Sequence, residues 1–227
     1  MKKLNEEIKT GQLKQVYLLC GEEAYLRSQY RDRLKKALLE DGDPMNLHYF
    51  EGKGIQAGEV IDLAETMPFL AQRRVLVLEN SELFKHGGEP LAEYLASPAQ
   101  TAFFVFVEPA VDKRSKLYKA VQAKGRVIAC DTQDEAVLKR WILEFLKKEN
   151  KKITERDLNF FLEKTGTNME NIRGELEKLM CYSLGRDVVT AQDIDEICVR
   201  QVSSQIFDMV SAVADKRQKQ AMQLYYD

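Results

Sequence analysis

Side chains that bind metals or form disulfides are scarce in this sequence. Its 227 residues include four cysteines, two histidines and one tryptophan. The cysteines form no CxxC pair, and neither histidine lies at zinc-ligand spacing from a cysteine. The cysteines and histidines are Cys20, Cys130, Cys181, Cys198, His48 and His86. We therefore expect no metal site, no cofactor and no disulfide framework, which is typical of proteins of the reducing cytoplasm.

Long apolar runs are also lacking. No stretch approaches the ~20 apolar residues that a membrane-spanning helix needs. The amino-terminal sequence MKKLNEEIKTGQLK has lysines but no apolar core of a signal peptide. These absences predict a soluble, cytoplasmic protein that does not interact with a membrane.

An excess of charge of one sign is the third absence. Lys and Arg total 34 and Asp and Glu total 36, which gives a formal net charge of −2. A domain that binds nucleic acid tightly usually presents a basic face. The composition therefore predicts that any work on DNA is done mainly through partners.

Short apolar runs alternate with helical patterns in the first 132 residues. Several runs are apolar without alternation, as in parallel strands covered on both faces. They are residues 15–20, 46–50, 75–78, 102–107 and 127–129. Apolar stripes at helical spacing separate them, in residues 26–38, 60–67, 91–95 and 117–121. This alternation predicts a three-layer α/β domain with a parallel sheet over residues 1–132.

The pattern becomes entirely helical after about Gln133. One stripe comprises Val137, Trp141, Ile142 and Phe145. Three further helices have start signals at Thr154, Asn168 and Thr190. These features predict a small helical lid domain over residues 133–202. A last helical pattern from about Ser203 continues to Asp227 without a stop signal, and we expect residues 203–227 to begin a further domain that is cut short.

The turn after the first strand decides whether such a fold hydrolyses nucleotides. A phosphate-binding loop needs several glycines, a lysine and a Ser or Thr. Here Cys20-Gly-Glu-Glu-Ala-Tyr-Leu26 has one glycine and places Glu22 and Glu23 where phosphate would approach. The acids that follow later strands, Glu79 and Glu108, are single, and we expect them to be solvated or paired. No hydrolase or protease motif is present, so the sequence predicts a non-catalytic protein.

Several segments resemble one protein family, in the same order along nearly the whole chain. Val16-Tyr-Leu-Leu-Cys-Gly-Glu-Glu-Ala-Tyr-Leu26 is similar to the opening of DNA polymerase III delta subunits. Met67-Pro-Phe-Leu-Ala-Gln-Arg-Arg-Val-Leu-Val-Leu78 resembles a later segment of the family. Trp141-Ile142, Gly166, Glu175-Leu-Glu-Lys-Leu179 and Ile206-Phe-Asp208 resemble its helical domains.

The resemblance implies an AAA+-type, P-loop-NTPase-like domain with a degenerate phosphate loop, a helical lid and a collar domain that is almost wholly missing here. It implies a clamp-loader subunit that binds the sliding clamp, the beta subunit, and holds the ring open for loading onto primed DNA. The implied partners are the gamma/tau and delta-prime subunits, which bind the longer protein, and primed DNA indirectly. By itself the chain would be no enzyme, although it would belong to the DNA polymerase III holoenzyme, a DNA-directed DNA polymerase.

The resemblance also implies a clamp-binding element, which is Phe69 and Leu70 flanked by Met67 and Pro68. Because Pro68 cannot lie inside a helix, it ends the helix of residues 60–67 or starts a new turn, and the apolar pair can project outward there. The alternative is that Phe69 and Leu70 close the helix against the core. Many clamp-binding peptides begin with Gln, whereas Glu65 stands five residues before Leu70.

Two basic clusters are candidates for phosphate or DNA contacts. Arg73 and Arg74 begin a strand, and we expect them to pair with local carboxylates or solvent. Lys113, Arg114 and Lys116 follow a strand end, where a DNA phosphate contact is an alternative to a solvated loop.

Besides a generic helical adaptor unrelated to replication, two other functions remain open from the sequence. One is an active AAA-type ATPase with an atypical nucleotide site, which tight binding of a fluorescent ATP analogue would reveal. The other is the delta-prime scaffold subunit, in which we would expect a cysteine-rich zinc module that this cysteine spacing does not provide.

Overall fold

The chain forms two compact units, residues 1–132 and residues 133–227. The structure is a computed structural model, and it describes residues 2–39, 44–199 and 222. The predicted segment 203–227 therefore lies outside the described residues, apart from Met222.

The first unit alternates strands and helices. Its strands are β1 (Val16–Cys20), β2 (Leu47–Glu51), β3 (Arg74–Glu79), β4 (Ala102–Glu108) and β5 (Arg126–Ala129). Its helices are α1 (Lys2–Thr10), α2 (Ala24–Leu38), α3 (Ala57–Glu65), α4 (Glu89–Tyr94) and α5 (Lys116–Lys124), and a 3-10 turn, Pro44–Asn46, precedes β2.

The five strands form one sheet in the order β2-β3-β4-β1-β5, and every neighbouring pair is parallel. All strands therefore begin at one edge, the amino edge, and end at the opposite, carboxyl edge. The parallel α/β fold predicted from the sequence is confirmed.

Burial on both faces explains why the strands lack alternation. β3 and β4 are almost entirely buried. One face packs against α3, α4 and α5 in a single apolar cluster, in which the rings of Phe84 and Phe106 meet edge to face at 5.2 Å. The other face packs against α2 through residues such as Leu26 and Leu34. The sheet is thus the middle of three layers.

Helix α1 was not predicted from the sequence, because its nine residues contain few apolar side chains. Leu4 and Glu7 are buried, and the Glu7 carboxylate accepts hydrogen bonds from Tyr17 and Arg126. These contacts attach α1 to the start of β1 and β5.

The second unit is mainly helical. It contains α6 (Glu135–Lys148), α7 (Glu155–Thr165), α8 (Met169–Tyr182) and α9 (Ala191–Ile197). Thr154, Asn168 and Thr190 each accept a hydrogen bond from a backbone N–H in the first turn of their helix, as their positions predicted. The Thr190 cap is a reciprocal capping box with Asp193.

Two details of the second unit differ from the prediction. A two-stranded parallel pair, β6 (Lys152–Ile153) and β7 (Val188–Val189), was missed because two residues show no periodicity. The buried residues of α6 are Leu138, Ile142 and Leu146. Val137 is exposed, so the buried stripe of α6 is rotated from the predicted one.

Candidate functional site

A loop at the amino edge of the sheet, residues 66–73, joins α3 to β3 and is hereafter called the edge loop. Helix α3 ends at Glu65, with Thr66 as its C-cap, two residues earlier than predicted. The reason is local, because the residue before a proline is disfavoured in the helical region and Met67 precedes Pro68.

The apolar side chains of the edge loop project into solvent. Met67 is 80% exposed, Phe69 55% and Leu70 90%, while Pro68 is partly buried. Phe69 and Leu70 therefore do not close α3 against the core. The predicted clamp-binding element is therefore one continuous apolar segment in which Met67, Phe69 and Leu70 are exposed and Pro68 is partly buried.

The backbone bends at Leu70, where φ is +48°. Non-glycine residues seldom adopt this left-handed conformation, and Asn or Asp do so more readily than leucine. The loop thus keeps an exposed leucine in an unfavourable backbone conformation, which requires the neighbouring residues to fix the backbone.

Asn46 fixes the edge loop at Phe69. Its side chain is 1% exposed. The Asn46 Nδ2 donates to the Phe69 carbonyl at 2.8 Å, and the Phe69 N–H donates to the Asn46 Oδ1 at 2.7 Å. One side chain therefore satisfies both backbone polar groups of a residue whose own ring is largely in solvent.

Arg74 fixes the preceding residues of the same loop. The guanidinium donates to the carbonyls of Thr66, at 3.2 Å, and Met67, at 2.7 Å. It was predicted to pair with a carboxylate or with solvent, and that prediction is wrong. Arg74 is 7% exposed. The start of β3 places it beside the C-cap carbonyl of α3, that of Thr66, which has no helical partner, and beside the carbonyl of the next residue.

The third contact of Arg74 is His48, whose Nε2 lies 2.6 Å from a guanidinium nitrogen. Since arginine has no acceptor, His48 accepts through Nε2 and carries its own proton on Nδ1. Burial and then the charge of Arg74 lower the pKa of His48 from its ordinary value.

The neighbouring charged residues are engaged elsewhere. The guanidinium of Arg73 lies over the ring of Phe103, 5.2 Å from its centroid. The Glu65 carboxylate accepts a hydrogen bond of 2.6 Å from Tyr94. Burial, followed by this bond, raises the pKa of Tyr94 to about 12. Glu65 thus links α3 to α4, and the apolar side chains remain the evident binding groups of the edge loop.

The carboxyl edge contains the turn that would hold phosphate in a nucleotide-binding relative of this fold. Three N–H groups of this turn donate to protein acceptors. Gly21 donates to Glu108 O at 3.3 Å, Glu23 donates to Cys130 O at 2.8 Å, and Tyr25 donates to the Glu23 carboxylate at 3.2 Å. A side chain at Gly21 would overlap the backbone of Cys130. This close approach is sufficient to explain why a glycine occupies the position, and no bound ligand is needed to explain it.

The acids of this edge are also accounted for by protein contacts. Glu79 pairs with Arg31 at 2.8 Å. Glu108 is buried and accepts hydrogen bonds from the N–H and hydroxyl of Ser81. Burial raises the pKa of Glu108, and the bonds from Ser81 oppose that shift. The sequence did not indicate either acid as a metal ligand. The contacts of Glu79 with Arg31 and of Glu108 with Ser81 give each acid a structural role.

Lys113, Arg114 and Lys116 are exposed at the carboxyl edge, where β4 leads to α5. Arg114 pairs with Asp112 at 3.1 Å. Lys113 lines a cleft of about 300 Å³ together with residues of the Gly21 turn. The two predicted site clusters therefore lie at opposite edges of the sheet.

Asn46 and His48 are the residues of the edge-loop site that the sequence did not reveal. Parallel register pairs Leu47 with Val75, so Asn46 lies opposite Arg74. A polar residue directly before a strand gives no signal of this role, because short turns commonly contain asparagine.

Other kinds of site find no support in the described part of the chain. Within residues 2–39, 44–199 and 222, no group of three or more His, Cys, Asp or Glu side chains could hold a metal ion. Cys20, Cys130 and Cys198 are buried, and Cys181 is exposed. No helix among these residues is long and apolar enough to cross a membrane.

The first unit is an all-parallel, three-layer α/β domain with a P-loop-NTPase-like fold. Its turn after β1 lacks the lysine and the Ser or Thr of a phosphate-binding loop. The family model for the delta subunit of DNA polymerase III matches residues 17–131, slightly more than half of the chain. The chain belongs to the family of DNA polymerase III delta subunits.

Individual relatives agree with this family. The chain is 24% identical to DNA polymerase III subunit delta of Bacillus subtilis, over 98% of this chain and 67% of that protein. It is 22% identical to a probable DNA polymerase III subunit delta of Aquifex aeolicus, over 92% of this chain and 62% of that protein. The chain thus spans about two thirds of these relatives' lengths.

A solved structure also has this fold. The DNA clamp loader delta protein (YqeN) of Bacillus subtilis superposes with a TM-score of 0.73 at 22% identity, covering 100% of this chain and 70% of that one. The likeness supports the AAA+-type fold.

The pKa of His48 tests the geometry around the edge loop. In the wild-type chain we expect a pKa below the ordinary value of about 6.5, and Arg74→Met should raise it because a positive charge that disfavours the imidazolium is removed. NMR titration of the histidine resonances measures the His48 pKa in the wild-type chain and in Arg74→Met. The His48→Gln variant identifies which resonance belongs to His48. An unchanged His48 pKa in Arg74→Met would contradict the contact.

Proposed function

We propose that the chain is a non-catalytic clamp-loader subunit that binds the sliding clamp through the edge loop and holds the ring open for loading onto primed DNA. The observation that carries the proposal is the exposed Met67-Pro-Phe-Leu70 segment, whose backbone is fixed by two buried polar side chains. Membership of the delta family supplies the partner, the ring-shaped clamp.

The chemistry of the edge loop suits insertion into an apolar pocket of a partner. Phe69 and Leu70 are both largely exposed before binding, and burying each contributes about 1.5–3 kcal/mol. A few such anchors commonly carry most of the affinity of an interface. The same physics makes solvent an unfavourable environment for the pair, which gives a clamp-bound state its driving force.

The proposed subunit works within a complex. Its other partners would be the gamma/tau and delta-prime subunits, with primed DNA contacted through the assembly, and ATP would be bound by other subunits. Participation in the DNA polymerase III holoenzyme and a cytoplasmic location follow from this role. The family match is to delta, so it gives no support to the delta-prime alternative.

An ATPase function is disfavoured by the bonds of the Gly21 turn. The N–H groups of Gly21 and Glu23 donate to protein carbonyls. Glu22 is exposed at the same turn and would repel a nucleotide phosphate. These contacts support a subunit that has the fold of a nucleotide-hydrolysing domain and does not itself hydrolyse a nucleotide.

Replacing both anchors tests the proposed clamp contact. Phe69→Ala/Leu70→Ala should weaken binding of the 227-residue chain to the cognate sliding clamp by roughly a hundredfold or more, since the variant no longer buries two apolar side chains. Isothermal titration calorimetry measures the affinity, and circular dichroism checks the fold. Leu184→Ala removes a similarly exposed leucine from the second unit and should bind like the wild type. Wild-type affinity in the double variant would contradict the proposal.

The carboxyl-edge lysines and arginine are a separate proposal, a contact with DNA phosphates. Lys113, Arg114 and Lys116 are exposed, and removing one phosphate-binding cation should flatten the plot of log affinity against log salt concentration by about 0.9. We expect the variant in which Lys113, Arg114 and Lys116 are all replaced by alanine to lose salt-sensitive binding to primed DNA. Fluorescence anisotropy measures this binding. Lys147→Ala/Lys148→Ala/Lys152→Ala, which removes the same charge, is the control. Equally weakened binding in both variants would indicate a net-charge effect only.

A further inference from the structure

Two buried polar side chains at the amino edge direct their hydrogen bonds to the edge loop. Burying an amide or a guanidinium is costly unless its polar atoms are bonded. Asn46 and Arg74 meet this requirement with the backbone of Thr66, Met67 and Phe69. Hereafter Asn46 and Arg74 are called the polar bracket.

The loop held by the bracket gains little from apolar burial. Met67, Phe69 and Leu70 direct most of their side-chain surface to solvent. A segment that buries so little apolar surface is ordinarily mobile. The hydrogen bonds from the bracket to the loop backbone oppose that mobility, and they satisfy both polar groups of Phe69.

The bracket also explains how an unfavourable conformation persists beside it. Leu70, which has a positive φ, immediately follows Phe69. Asn46 forms hydrogen bonds with both the N–H and the carbonyl of Phe69. Because the Phe69 N–H and carbonyl are fixed, the direction in which the chain leaves Phe69 is restricted. The backbone that carries the exposed pair is therefore restricted before any partner binds.

We propose that Asn46 and Arg74 are positioning residues that preorganise the edge loop for its partner, an inference that rests on the proposed clamp function. Ordering a loop on binding costs free energy, and a loop already ordered avoids that cost. Removal of the bracket lowers clamp affinity although neither side chain is exposed enough to contact the clamp. Arg74 also needs His48 neutral, since only the neutral ring accepts its third hydrogen bond.

The test combines amide hydrogen exchange with clamp affinity in the 227-residue chain. In Asn46→Ala and Arg74→Met, the Phe69 amide should exchange at least tenfold faster, while the amides of β3 keep wild-type rates. Clamp affinity, measured well below the unfolding temperature, should fall at least fivefold. Asn46→Asp keeps an acceptor for the Phe69 N–H and should recover part of both properties.

Arg31→Met is the matched control. It removes a partly buried arginine from the same unit, one that pairs with Glu79 at the carboxyl edge. This variant should lose some stability but keep the wild-type exchange rate at Phe69 and the wild-type affinity. A role of the bracket in stability alone would make the two arginine variants behave alike.

The outcomes separate the inference from the function on which it rests. If the wild-type chain binds the clamp and both bracket variants bind equally well, the positioning role is overturned and the clamp function stands. Faster exchange at Phe69 only together with β3 also overturns it. If the wild-type chain does not bind the clamp, the proposed function fails and the inference fails with it.

Discussion

The parallel direction of all five strands is the constraint on which the rest of the first unit depends. It places every strand start at one edge and every strand end at the other. The edge loop and Asn46 precede neighbouring strands, so they meet at the amino edge. The degenerate nucleotide turn and the basic loop follow strands and lie at the carboxyl edge. One sheet thus separates a proposed partner-binding edge from the edge where related folds bind nucleotide.

The two edges differ in how their backbone polar groups are used. At the carboxyl edge, the N–H groups of Gly21 and Glu23 donate to the carbonyls of Glu108 and Cys130, so these two groups are used by the protein itself. At the amino edge, buried side chains bond to the loop backbone so that apolar side chains remain outside. At both edges, protein groups satisfy the backbone hydrogen bonds of a loop. At the carboxyl edge the loop is the Gly21 turn, and at the amino edge it is the edge loop, whose apolar side chains face solvent.

The sequence predicted what periodicity and composition control. Five apolar runs became the five strands, and the start signals at Thr154, Asn168 and Thr190 became helix caps. It did not predict helix α1 or the β6–β7 pair, which are too short or too polar for a periodic pattern. The edge loop was located through a family resemblance. The role of Asn46 and the contact of Arg74 with His48 were missed because they depend on the register of β2 and β3, and register is a tertiary property. The bonds of Arg74 to Thr66 and Met67 depend on the path of the edge loop, which no periodic pattern shows.

Hydrogen exchange of the wild-type chain with and without the sliding clamp tests the central claim most directly. We expect the clamp to slow amide exchange in residues 66–73 at the amino edge. Residues 109–116 at the carboxyl edge and helices α6–α9 should keep their rates. Protection confined to the carboxyl edge or to the second unit, with the edge loop unchanged, would contradict the account.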